Sequence, residues 1–253
     1  SMGLGDYARA HTHLESALAI AERADLQWHL GPILLGLDHV RACTGHYGEA
    51  WTGITRTLRW LEQLKQTRYQ LIAYGFLGNL LLDLGLNAQA MAYSQRGLAL
   101  ATQARIMFWR PLIEANLAIA SMRLGDLSVG PTLEKALHYA CEHNEGHQMV
   151  RCMEGLVELA LLRGDTQSCL TLADELQSLA KHGGLSELAI SARRWSGEAL
   201  AAAGKRQQSV DQLSLVADAA FEIGRVRLAM DATAALARVT GDNAYHVRAE
   251  ALG

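Results

Sequence analysis

Proline and phenylalanine are scarce in this chain, at three residues each among 253. With so few helix breakers beside abundant Leu and Ala, the composition argues against strands and for helices, where straight or small side chains lose little freedom. Charge is also sparse: 23 Lys and Arg stand against 26 Asp and Glu, a net charge of −3. No basic excess is available to neutralise a phosphate backbone, so nucleic acid is not an expected direct partner. No apolar run approaches the roughly 20 residues that cross a bilayer, which argues against a membrane partner. The opening SMGLGDY lacks the basic and apolar regions of a signal peptide, and a cytoplasmic location is expected. Ser1 ahead of Met2 reads as a start added to the native sequence. Cys43, Cys141, Cys152 and Cys169 are too few and scattered for a disulfide framework, and are expected reduced and mostly buried.

Half of the residues are hydrophobic, and they recur in a pattern. GDYARAH begins at Gly5 and GHYGEAW at Gly45, and aligning on that glycine gives Gly5, Gly45, Gly85, Gly125, Gly164 and Gly204, with Gly241 as a seventh. The spacing is close to forty throughout. A helical run precedes each glycine, as in YGFLGNLLLDLG and EANLAIASMRLG, and another follows it. Columns repeat as well. Eight residues before the glycine stand Leu37, Leu77, Leu117 and Leu156. Seven before it come Gly78, Ala118, Gly197 and Ala234, interrupted by Asp38 and Val157. Five after it stand Ala10, Ala50, Ala90, Gly130, Cys169 and Ser209, small enough for two helices to cross closely.

Each unit therefore reads as a helix, a glycine that ends it in the left-handed conformation, a short turn and an antiparallel second helix. One such pair cannot hide both apolar faces, so the next pair must stack on it. Pro32, Pro111 and Pro131 are expected near helix starts, where a missing N–H costs least, with none in a helix interior. The five tryptophans are expected to pack between layers.

GDYARAHTHLESALAIAE and GHYGEAWTGITRTLRWLE resemble the Gly-Asp-Tyr turn and Ala-containing second helix of tetratricopeptide-like repeats. The usual unit has 34 residues. A period near 40 resembles the longer repeats of large bacterial signal-transduction ATPases and transcriptional regulators of the maltose-regulator type. The resemblance implies an all-α, right-handed α-α superhelix of about six hairpins, a solenoid occupying residues 3–253 as a single domain. The chain opens at a turn glycine without a preceding helix and closes within another second helix, so a fragment of a longer protein is expected, with possible self-association through its uncapped ends.

No phosphate loop, G-x-G-x-x-G, H-E-x-x-H or G-x-S-x-G occurs, so an enzyme and a cofactor are not expected. Glu154 and Glu158 lie one helical turn apart, as an acid-base pair would require, but exposed neighbours on one helix face are the commoner reading. HYACEHNEGHQMVRC places His138, Cys141, His143, His147 and Cys152 close in sequence. Their spacing fits no standard zinc pattern, and no metal is expected. His11 and His13, two apart on a helix, face different directions.

In the tetratricopeptide family the first helix of each pair lines the concave face. By that resemblance, positions six before the turn glycine point there: His39, Asn79, Ile119, Glu158 and Glu198. Flanking positions add Asp83 and Arg123, Arg151 and Glu154, then Arg194 and Asp231. The expected groove is more apolar near the start and more charged towards the end. Arg151, Glu154 and Glu158 share one helix face, as do Arg194 and Glu198, either as sites for a mixed-charge partner or as intrahelical pairs on a solvated face. The expected function is a non-catalytic scaffold for a protein or peptide in the groove, the sensor or regulatory arm of a larger regulator. The alternative is a small-molecule effector-sensing domain of such a regulator.

Overall fold

The computed structural model describes residues 6–183 and 186–252. Among these residues there is no strand, and the chain runs through α1 (Tyr7–Arg23), α2 (Gln27–Cys43), α3 (Tyr47–Gln63), α4 (Thr67–Asp83), α5 (Asn87–Ala104), α6 (Arg110–Arg123), α7 (Gly130–Glu142), α8 (Gly146–Leu162), α9 (Thr166–Gly183), α10 (Ser186–Ala202), α11 (Arg206–Glu222), α12 (Val226–Thr240) and α13 (Asn243–Leu252). A 3-10 turn, Leu127–Val129, precedes α7.

The turn glycines fall at successive hairpin bends. Gly45, Gly85, Gly125, Gly164, Gly204 and Gly241 all have positive φ, from +72° at Gly85 to +108° at Gly125, a region that a Cβ disfavours. Gly5 lies outside the described residues. Each helix end closes on its own hydrogen bonds: after Gly85, the Leu86 N–H donates to the Leu81 carbonyl at 2.8 Å and the Gly85 N–H to that of Leu82 at 3.1 Å. This is the closure that satisfies the last orphan carbonyls of a helix.

The turns between hairpins use the same closure without glycine. Asp25, Lys65, Arg105 and Asn144 have φ of +52° to +54°, and Gln66 N–H donates to Leu61 O at 3.0 Å as Leu86 does to Leu81. Among the described residues, Gly224, between α11 and α12, is the one glycine with positive φ in this second register. The forty-residue sequence period thus contains two closures about twenty residues apart, and one of them is regularly written in glycine.

Aspartates that follow turn glycines cap the next element, the 3-10 turn for Asp126 and the second helix for Asp165 and Asp242. Asp126 accepts from Ser128 N–H at 2.9 Å, Asp165 from Ser168 N–H at 3.0 Å and Asp242 from Ala244 N–H at 2.9 Å. Where the residue is His46, Leu86 or Lys205, the side chain makes no cap.

Contacts divide the chain into two compact units. The first holds Ala8–Ala42 and His46–Cys152; the second holds Met153–Gly253 with Ser1–Tyr7 and Cys43–Gly45. In both, the column five after the turn glycine is the tight crossing: Ala50, Ala90, Cys169 and Ser209 are fully buried. The core of the first unit is built on large side chains such as Ile54, Leu61, Leu71, Leu77 and Ile113. In the second, Ala217, Ala220, Ala229, Ala232 and Ala235 make up much of one core cluster around Leu213 and Leu236.

Asp38, which breaks the small-residue column, is also buried, at 2% exposure. Its carboxylate accepts from Arg41 Nη1 at 2.7 Å and occupies the space where a Cβ on Gly53 of α3 would stand. The missing side chain on α3 makes room for the misplaced one on α2.

Two expectations fail. Pro32 lies inside α2, although Pro111 and Pro131 do stand in the first turns of α6 and α7. Its missing N–H deprives the Trp28 carbonyl of a donor, a loss confined to the first turns of the helix. Trp28 is not packed between layers: it is 67% exposed, whereas Trp195 is buried at 6%. Among the described residues, no helix is long and apolar enough to cross a membrane.

Candidate functional site

The residues six before the turn glycine sit where first helices display one side, and all but one are half-buried. His39, Asn79, Glu158 and Glu198 are half-buried; Ile119 is buried at 1% and lines nothing. What surrounds them differs between the two units.

In the first unit the column leads into a cluster of rings. His39 on α2 stacks on Phe76 on α4, with centroids 4.3 Å apart and planes 5° from parallel. Phe76 meets Trp109 edge-on at 5.3 Å, Trp109 meets His147 at 5.9 Å, and His147 returns to His39 at 5.8 Å. Trp109 caps the start of α6 at φ +64°, an uncommon conformation for a large aromatic that its ring contacts must hold. Asn79 has a buried side-chain oxygen with no hydrogen bond, and Asp83 ends α4 half-buried.

Two expected site cations tie helices together instead of standing ready for a ligand. Arg123 donates from α6 to the Leu82 carbonyl of α4 at 2.9 Å. Arg151 Nε on α8 donates to Asn116 Oδ1 at 3.0 Å, and Asn116 Nδ2 donates to the Gly75 carbonyl at 3.0 Å. Asn116 is fully buried, and this relay crosses α8, α6 and α4.

In the second unit the same column leads into charge. Arg194, its side chain 13% exposed, pairs with Glu198 at 3.2 Å one turn on and with Asp231 of α12 at 3.5 Å. Arg238 of α12 returns to Glu198 at 3.3 Å, and Arg227 holds Asp231 at 3.0 Å. Ser191 of α10 donates to Glu154 of α8 at 2.5 Å. The Arg194 guanidinium carbon also lies 3.7 Å from the centre of the Trp195 ring. Burial works against the charge of Arg194, yet Glu198, Asp231, Glu158 and Glu154 together hold its pKa above the ordinary arginine value. The Arg194–Glu198 pair is intrahelical, as the spacing suggested, but it belongs to a network spanning helices, which spacing alone does not show.

A cleft of about 400 Å³ opens beside this network. Its floor is Leu161, Ala201, Ala235 and Val239, and its charged lining is Glu198, Arg206 and Arg238. Arg206 begins α11 and donates to the Thr240 carbonyl at 2.6 Å. Neither Arg206 nor Arg238 stands out in the sequence, because neither belongs to the six-before-glycine column.

The histidine and cysteine run is dispersed. His138 faces Glu142 at 3.3 Å, His143 lies 2.9 Å from the Tyr139 carbonyl and stacks on that ring, and His147 joins the ring cluster. Among the described residues, no group of three or more His, Cys, Asp or Glu is placed to hold a metal ion. His11 pairs with Glu15 and His13 accepts from Arg9, on separate contacts. The cysteines are free, and three of them, Cys43, Cys152 and Cys169, are buried. Burial pushes the Cys152 thiol up to about 12 and that of Cys169 to about 11, so neither is a thiolate at neutral pH.

No protein-family model matches the chain, and no curated protein does. Solved structures match it in fold. One is a Rap protein complexed with competence and sporulation factor, at 15% identity and a TM-score of 0.63 over 93% of this chain and 70% of that one. Another is a signal transduction ATPase with numerous domains carrying a tetratricopeptide repeat sensor, from Pyrococcus horikoshii, at 12% identity and a TM-score of 0.57. That match covers 83% of this chain, which spans only 32% of the ATPase. A third is BtubC from P. vanneervenii, at 15% identity and a TM-score of 0.56 over 86% of this chain and 91% of that one. Likeness at such low identity speaks for architecture alone, and the architecture is a tetratricopeptide-like helical repeat.

Proposed function

We propose that this chain is a non-catalytic scaffold that holds a peptide or protein segment along the first helices of its hairpins. The observation that carries this reading is the polar row of the second unit. Ser191 to Glu154 links α10 to α8, and Arg194 to Asp231 links α10 to α12, side chain to side chain. A merely solvated face does not fix its charges across three helices. A fixed, half-buried row is a preorganised template, which lowers the ordering cost of binding. Asp231 is held by Arg194 and Arg227, whereas Glu158 shares the α8 face of Glu154, so the segment carries mixed charge with a basic side chain opposite Glu158.

The finer reading, that the scaffold is one domain of a longer signalling or transcriptional regulator of the long-repeat type, has indirect support. One structural neighbour carries a tetratricopeptide sensor within a multidomain ATPase, and another is a Rap protein in complex with a factor.

Selection of random peptides on the chain, followed by photo-crosslinking of the binders, tests the scaffold. Binders rich in Lys or Arg that crosslink to α8, α10 and α12, and that lose at least about tenfold in affinity to Glu158→Lys, support it. Binders that crosslink to α9 and α11 and ignore that substitution refute it.

A further inference from the structure

The cleft beside α10 and α12 has a lining of its own, and the geometry points to a small aliphatic carboxylic acid with a branched apolar group as its ligand, the chemistry that an N-acyl amino acid such as N-acetyl-leucine presents. This goes beyond the scaffold reading, and neither depends on the other. At about 400 Å³ the cleft lies at the small end of ligand pockets, which run from about 300 to 1,000 Å³. Its floor of Leu161, Ala201, Ala235 and Val239 offers aliphatic surface and no polar side chain. A branched alkyl group therefore has a place to leave water.

The charged lining supplies two further contacts. Arg206 and Arg238 bring two guanidinium groups against one carboxylate, Glu198, and Glu198 is also paired with Arg194 at 3.2 Å. The lining has room for an added negative charge. Arg206 is pinned by one of its five donors, through the 2.6 Å bond to the Thr240 carbonyl, which aims the group and leaves other N–H donors for a carboxylate. Arg238 is 60% exposed and holds Glu198 by a long 3.3 Å contact, so turning to a ligand costs it little.

Free amino acids and the last residue of a peptide share this chemistry, and the test separates them. Calorimetric titration of the whole chain uses N-acetyl-leucine, N-acetyl-leucinamide, acetate and a short peptide ending in a free leucine carboxylate. The expected result is saturable binding of N-acetyl-leucine with Kd below about 1 mM, and at least about tenfold weaker binding of the amide and of acetate. Arg238→Gln and Arg206→Gln should each weaken N-acetyl-leucine at least about tenfold, and the melting temperature of each unliganded variant reports whether the fold is kept. Arg238 is exposed, so its variant alone suffices if Arg206→Gln unfolds. Binding of the peptide but not of N-acetyl-leucine assigns the same chemistry to a chain end. Equal binding of acid and amide, binding that survives Arg238→Gln, or no saturable heat from either carboxylate overturns the inference.

Discussion

The two compact units run the same hairpin in different chemistry. In the first, the column six before the turn glycine feeds a closed set of rings, His39, Phe76, Trp109 and His147, spaced 4.3 to 5.9 Å. In the second it feeds a guanidinium among four carboxylates. Rings satisfy one another by shape and tolerate the loss of a member. Buried charges do not, because removing one leaves its partners uncompensated in a poor solvent for them. A repeat scaffold can therefore place forgiving and unforgiving chemistry at equivalent positions without altering its turns.

The sharpest break in that comparison is Arg194→Ala. Removing the cation should cost on the order of 3 kcal/mol in urea unfolding, and adding Glu198→Gln with Asp231→Asn should recover more than half of it. A loss near zero would mean that the network is solvated like any surface pair. Next in size is the first unit's own buried charge. Gly53→Ala places a methyl against the Asp38 carboxylate and should cost about 1 to 3 kcal/mol, with the loss relieved in the Asp38→Ala background. Phe76→Leu should cost less, about 1 kcal/mol beyond the area lost, with a coupling to His39 in a double-mutant cycle. A Phe76 cost above that of Arg194 would reverse the comparison.

The smallest effects lie in the pH dependence, where Asp165 of the second unit and Asp38 of the first differ in sign. Hydrogen bonds from the Ser168 side chain and backbone hold Asp165 below the ordinary carboxylate range. Its contribution is present above the unfolded pKa of about 3.9 and is lost as pH falls through the lower folded value. Burial pushes Asp38 up despite Arg41, so its contribution is present below about 3.9 and is lost as pH rises through the folded value. Stability measured across the acid range should flatten with Asp165→Ala and steepen with Asp38→Asn. Identical slopes for both variants would show that neither group is coupled to folding.

Much of the architecture was legible because glycine at a left-handed bend has few substitutes. Gly45, Gly85, Gly125, Gly164, Gly204 and Gly241 mark their bends in plain letters. The other bends were silent because Asp25, Lys65, Arg105 and Asn144 adopt the same conformation with ordinary side chains. The small column ending in Cys169 and Ser209 was legible for the same steric reason. The site was legible only along one helix at a time. Glu198 and Arg194 share a face by spacing, but their links to Asp231 and Arg238 depend on how α10 meets α12. Phe76 and Trp109 escaped notice because apolar rings at helical spacing read as core. Arg151 looked available and is tied to Asn116.

The main-chain bonds that close the bends reach back only a few residues. Substitutions elsewhere in a helix therefore leave these bonds intact, and unlike sequences can keep the same shape. That independence fits solved structures that share this fold at only 12 to 15% identity.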